Sequence, residues 1–144
     1  MKLPENVTKA IETDEGGSDQ EFEPLAEGYY LAEIESIKLS DNVGKSGFHM
    51  WVIVWRIKAP KAAAKRTQWD RRSLSPKAAF KMRELFDALG YDYDSDSDEL
   101  IGERAILEIT QEEITSGNRK GEIGNSVERV LDAEDPEFKA LVGK

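Results

Sequence analysis

YYLAEIESIKLS, residues 29–40, carries two apolar stripes that are out of phase. Tyr30, Ala32 and Ile34 fall on one side of an extended chain and Ile37 and Leu39 on the other, because successive strand residues point to opposite faces. One extra residue within the strand reconciles the stripes. Such a residue is a β-bulge, which bends a strand so that it serves two sides of a curved sheet; the same pattern also fits two short strands. DNVGKSG, residues 41–47, is turn-rich, and FHMWVIVWRIK, residues 48–58, reads as a second strand. After the basic connection APKAAAKR, residues 59–66, TQWDRRSLS, residues 67–75, reads as a third.

A helix follows with marked ends: Ser75 suits the N-cap, Pro76 the first helical position and Gly90 the position after the last. Its apolar stripe, Ala79, Met82, Phe86 and Leu89 widened by Phe80 and Leu85, is expected to cover one end of the sheet. ERAILEIT, residues 103–110, and GEIGNSVERVL, residues 121–131, read as two further strands joined by the turn TSGNRK. Three strands, a helix and two strands is the element order of the OB-fold, whose ligands lie across strands two and three and the loops flanking them. The expected fold is mainly β with α+β content: a five-stranded OB-fold-like barrel with one helix between strands 3 and 4.

With 144 residues the chain has room for one core. Residues 1–27 are expected to form an acidic mobile tail with a short helix over residues 4–12, residues 28–131 the barrel, and residues 132–144 a C-terminal tail. Cysteine is absent, which excludes disulfides, thiolate zinc sites and cysteine nucleophiles. No apolar run approaches the ~20 residues of a membrane span, and MKLPENVTKAIE lacks the apolar stretch of a signal peptide, so a cytoplasmic protein with no membrane partner is expected.

The formal net charge of −9 opposes a polyanionic ligand, but the charge is unevenly placed. Residues 1–27 hold two basic and eight acidic side chains, residues 28–90 twelve and six, and residues 91–144 six and fifteen. A basic middle between acidic ends suits a polyanion-binding surface whose extensions compete for it or recruit basic partners.

Catalytic and metal readings fail on residue types. His49, the single histidine, has neither a second imidazole nor a thiol for zinc. Asp92, Asp94, Asp96 and Glu103 echo EF-hand spacing, yet Ser97 stands where the loop needs glycine and Glu99 where it needs an apolar residue. No Gly-rich phosphate loop or nucleophile elbow is present. No cofactor and no enzymatic activity are expected.

Aromatic and basic residues interleave where an OB-fold binds. Phe48, His49, Trp51, Trp55, Arg56 and Lys58 lie on the second strand and Trp69, Arg71 and Arg72 on the third; Lys45, Lys61, Lys65, Arg66, Arg119 and Lys120 lie in loops. Unpaired bases stack on aromatic faces while cations follow the phosphates, so single-stranded nucleic acid is the expected ligand. Met50, Val52 and Val54 oppose Trp51, Ile53 and Trp55 on strand 2; the smaller branched residues suit a tight interior, which predicts a tryptophan stripe facing outward.

EPLAEGYYLAEI, NVGKSGFHMWVIVWRI, SPKAAFKMRELFDALGY, LIGERAILEI and SGNRKGEIGNSVERVL together resemble a family of small phage-encoded proteins of OB-fold, single-stranded-DNA-binding-like type, catalogued as a phage domain of unknown function. The resemblance spans about residues 23–131 and rests on turns at residues 44–47, 100–105 and 117–125. It implies single-stranded-DNA binding in phage replication, recombination or repair, in the host cytoplasm; contacts at Lys45, Arg119, Lys120 and Asn125 are an inference from the residues in these turns and not part of the resemblance. It leaves room for a homo-oligomer and for replication or recombination proteins on the acidic tails. The competing expectation is a protein-interaction module whose acidic stretch, residues 92–99, mimics nucleic acid and docks on a host or phage enzyme.

Overall fold

The computed structural model describes residues 23–41 and 47–143; the expected helix over residues 4–12 and Lys45 lie outside them. Five strands form one antiparallel sheet: β1 (Gly28–Leu39), β2 (Met50–Ala59), β3 (Thr67–Ser73), β4 (Arg104–Glu113) and β5 (Ile123–Asp132), in the order β3-β2-β1-β4-β5. Helix α1 (Ala79–Leu89) and the single turn α2 (Ser97–Leu100) lie between β3 and β4, and α3 (Pro136–Lys139) follows β5.

β1 makes the curvature. Its first half pairs with β4, from Gly28↔Ile109 to Glu33↔Arg104, while its length from Leu31 to Leu39 pairs with β2. The register against β2 jumps from Ile34↔Trp55 to Ser36↔Val54, leaving Glu35 as the bulged residue. The bulge thereby brings Ile37 to the side of the buried Tyr30, Ala32 and Ile34, while Leu39, at the strand end, is exposed. The sheet curls until its edge strands meet, and Gln68 Nε2 on β3 donates to the Asn125 carbonyl on β5 at 3.5 Å, with no ladder between the two strands. This is an OB-fold-like barrel with an open β3–β5 seam and its main helix between strands 3 and 4. Ile34, Ile53, Trp55, Ile57, Leu107 and Ile109 fill the interior.

Ser75 Oγ accepts from Lys77 N at 3.1 Å and Gly90 closes α1 at φ 76°, ψ 30°, a left-handed position that favours glycine. Pro76 opens a 3-10 turn, residues 76–78, rather than the α-helix itself. Leu85 and Phe86 are buried, whereas Phe80, expected inward, lies more than about 100° around the helix from both and is 61% exposed. Residues 133–143, within the expected C-terminal tail, fold back on the barrel: Gly143 N donates to the Tyr29 carbonyl at 2.9 Å, and Ala133 and Val142 line a crevice with the fully buried Ile106. Asp96 and Glu99 form a capping box on α2, with Asp96 Oδ1 accepting from Asp98 N at 3.0 Å and Glu99 Oε2 accepting from Asp96 N at 2.8 Å. Among the described residues no helix is long and apolar enough to cross a membrane.

Candidate nucleic-acid interface

β3 alternates cleanly. Gln68, Asp70 and Arg72 face inward and are buried, while Thr67, Trp69 and Arg71 face outward. Carried through the register to β2 and β1, the outer wall has three rows: Lys38, Val52 and Arg71; then Ser36, Val54 and Trp69; then Glu33, Arg56 and Thr67. Trp69 is 52% exposed, and the Arg71 guanidinium carbon sits 5.4 Å from the centroid of its ring. Half-buried Val52 and Val54 form an apolar floor between Arg71 and Lys38, neither of which has a carboxylate partner among the described residues. Toward the other end of β2, Arg56 is held by Glu35, Nη2 to Oε1 at 2.6 Å.

The tryptophan stripe expected on this wall is not there. Trp55 is fully buried, with Ile53 and Ile57 on the same side, and Trp51 is half-buried 6.0 Å from the Phe86 ring on α1. The reason lies in β3, whose inward polar groups need partners. Trp55 Nε1 donates to Asp70 Oδ2 at 3.2 Å, the Arg72 guanidinium binds the same oxygen at 3.0 Å, and Arg72 Nη1 reaches Glu84 of α1 at 3.1 Å. A buried tryptophan supplies the N–H that this network requires, whereas valine supplies none. Arg72, expected to contact the ligand, is therefore a strut between β3 and α1.

Asn125 is a second correction. Its side-chain amide clasps the backbone of Leu25, Oδ1 accepting from Leu25 N at 2.7 Å and Nδ2 donating to Leu25 O at 2.9 Å. Gln111 Nε2 donates a second bond to the same carbonyl at 2.8 Å, and the Leu25 side chain is buried in the core. Asn125, expected as a ligand contact, thus spends its side-chain amide on fastening residues 23–27 across the open seam. The clasp forms the floor of a cleft of about 700 Å³ whose walls bring together Arg66, Trp69, Arg71 and Arg119, with Ile123 exposed beside them. Glu112 and Glu113 stand on the β4 side of the same cleft, so its positive charge is concentrated along β3.

The other expected contacts scatter. Phe48 and His49, expected on the second strand, lie just ahead of β2: Phe48 is exposed, and His49, half-buried, uses Nδ1 on the Ser40 carbonyl at 2.8 Å. Lys58, Lys61 and Lys65 are exposed around the β2–β3 connection, which forms a compact 3-10 turn over Lys61–Ala63 with Lys65 at φ 77°. Arg119 pairs with Glu122 at 2.9 Å, and Lys120 is exposed on the same hairpin. Lys38, Val52 and Val54 were missed. The bulge at Glu35 was the available signal for Lys38, since it moves every later even-numbered residue of β1 outward. Among the described residues no cluster of histidine, aspartate or glutamate could hold a metal ion.

No family model matches the chain, and no curated protein matches it. Among solved structures it is similar to the one described as "Yeast RPA bound to ssDNA", at 10% identity over 83% of this chain and 84% of that one, with a TM-score of 0.38.

Proposed function

We propose that this chain binds single-stranded nucleic acid along the outer wall of β1, β2 and β3, and that its ligand is single-stranded DNA in phage replication or recombination. The observation that carries the reading is the exposed Trp69 with Arg71 laid against it, on the wall where OB-folds receive ligands. One base stacked on the Trp69 indole contributes about 1–3 kcal/mol. Arg71, Lys38, Lys58 and Lys65 supply cations at both ends of the wall. If about three of them neutralise phosphates, the logarithm of affinity falls with the logarithm of salt at a slope of about −2. Stacking then carries a large share of the binding, which reconciles a net charge of −9 with a polyanionic ligand.

Fluorescence anisotropy of a labelled unstructured oligonucleotide against the same sequence as duplex, at two salt concentrations, tests the proposal. Preference for the single strand with a shallow salt slope is expected; equal binding of both forms, or none at low salt, contradicts it. A protein-docking reading draws on a different observation, the exposed Asp92, Asp94, Asp98 and Glu99 beside the exposed Tyr93. It requires that neutralising those carboxylates abolish partner binding while Trp69→Ala has no effect.

A further inference from the structure

We infer that Glu35 sets how much of a single strand the outer wall holds, by breaking its line of cations at Arg56; this rests on the proposed function for its ligand, while the ion pair behind it can be tested without one. Arg71 and Lys38 stand at one end of the wall with no carboxylate partner among the described residues, and Lys58 and Lys65 are exposed at the other. On β2, Arg56 lies between Val52, in the row of Arg71 and Lys38, and Lys58. A strand that passes from one group of cations to the other must therefore meet Arg56.

Two carboxylates stand near Arg56, and the register decides which one takes it. Arg56 faces Glu33 across the β1–β2 ladder, but Glu33 also faces Arg104 on β4 and is bound by it, Arg104 Nε to Glu33 Oε1 at 3.0 Å. The second carboxylate comes from the bulge. Ser36 takes the place opposite Val54, which leaves Glu35 without a cross-strand partner of its own. Its side chain turns to the neighbouring row, where Oε1 accepts from Arg56 Nε at 3.0 Å and from Nη2 at 2.6 Å.

On its other side Arg56 is anchored by the β2–β3 connection. Arg56 Nη1 donates to the Lys65 carbonyl at 2.6 Å, and Lys65, at φ 77°, donates its own N–H to the Ile57 carbonyl at 2.9 Å. The guanidinium is thus held in place by the loop, and its exchangeable partner is Glu35. One carboxylate oxygen serving two nitrogens matches the guanidinium fork less well than a phosphate, which offers two oxygens side by side. The pair is also open to water, with Arg56 35% and Glu35 45% exposed, so Glu35 competes with a phosphate without shutting it out. A cavity of about 510 Å³ beside the pair is lined by Glu33, Glu35, Arg56, Lys58 and Lys65. Removing the charge of Glu35 joins the two cation groups into one line along β2, about 20 Å from Val52 to Lys58.

The test compares the wild type with E35Q and with E108Q, which removes the same charge from the Glu108–Arg129 pair on β4 and β5. Anisotropy titrations of oligothymidines of increasing length, each over a salt series, give the shortest strand that reaches full affinity and the salt slope. For E35Q that strand is expected to be longer than for the wild type, and the slope steeper by about 0.7 as one further phosphate is neutralised. E108Q is expected to match the wild type in both. A second measurement needs no nucleic acid: the Arg56 Nε–H resonance, identified by its loss in Arg56→Lys, is expected to shift with inorganic phosphate in E35Q and to hold its position in the wild type over the same range. Equal lengths and slopes for wild type and E35Q, or the same change in E108Q, overturn the inference and leave the proposed function standing. If no form binds oligothymidine, the proposed function falls and the phosphate titration decides the role of Glu35 alone. A resonance that moves equally in wild type and E35Q then overturns it, and one that moves in E35Q only upholds it.

Discussion

Arg71 and Trp69 stand two residues apart on the outward side of β3, with the guanidinium carbon 5.4 Å from the indole centroid. The cation keeps the ring oriented and leaves half of its surface open to solvent, so one residue offers a stacking face and the other a phosphate contact. Substituting each should have a different signature. Arg71→Ala is expected to reduce the salt slope of oligonucleotide binding by about one charge's worth, 0.7 of a log unit per log unit of salt. A slope unchanged by Arg71→Ala, measured by anisotropy over a salt series, contradicts the contact.

The buried network makes the opposite kind of prediction. Asp70 accepts from both Trp55 and Arg72, and Asp70→Ala leaves the Arg72 guanidinium, 2% exposed, with Glu84 as its remaining carboxylate. Loss of one partner from a buried pair destabilises by about 3 kcal/mol. Urea unfolding should show that loss; a change below about 1 kcal/mol would mean that the network is not closed in solution.

Asn125→Ala removes the clasp on Leu25 and is expected to lower stability by about 1–3 kcal/mol. Because the side chain is spent on the backbone, oligonucleotide affinity at a fixed low salt concentration should stay that of the wild type. A weakened affinity with unchanged stability would restore Asn125 as a ligand contact.

Stability should also fall in alkali. Burial raises the pKa of Tyr30 above its ordinary 10.0, with the charge on Arg66 opposing, and the hydroxyl donates to the Ala26 carbonyl. The folded form holds the proton more tightly than the unfolded form, so the contribution is complete below pH 10.0 and is lost as pH rises through the folded value. Thermal melting across pH 8 to about 11 should show this decline, and Tyr30→Phe should flatten it; a decline identical in the variant assigns it to other groups.

Much of this architecture was legible in the residues. The phase change in YYLAEIESIKLS signalled a bulge, which the register puts at Glu35, and Gly90 marked the helix end, while Ser75 and Pro76 cap the 3-10 turn ahead of the helix, because bulges and caps are set by local chemistry. The facing of β2 was not legible. Both of its sides are apolar, and side-chain size favoured Val52 and Val54 inside, whereas the inward Gln68, Asp70 and Arg72 of the neighbouring strand demanded a tryptophan N–H. Asn125 misled for a similar reason: an asparagine near basic residues in a hairpin reads as a ligand contact until its backbone partner, a hundred residues away, is known. Trp69 and Arg71 face outward, as the unambiguous alternation of β3 implies, and Arg66, just ahead of that strand, lines the same cleft.

The most direct measurement is an anisotropy titration of an unstructured oligonucleotide with wild type, Trp69→Ala and Trp51→Phe at one low salt concentration. Loss of a stacking face at Trp69 predicts weakening by about 1–3 kcal/mol, or roughly 5- to 150-fold, with unfolding midpoints unchanged. Trp51→Phe, on the side that packs against α1, should bind as the wild type does. Equal affinities for Trp69→Ala and wild type would contradict the outer wall of β3 as the interface.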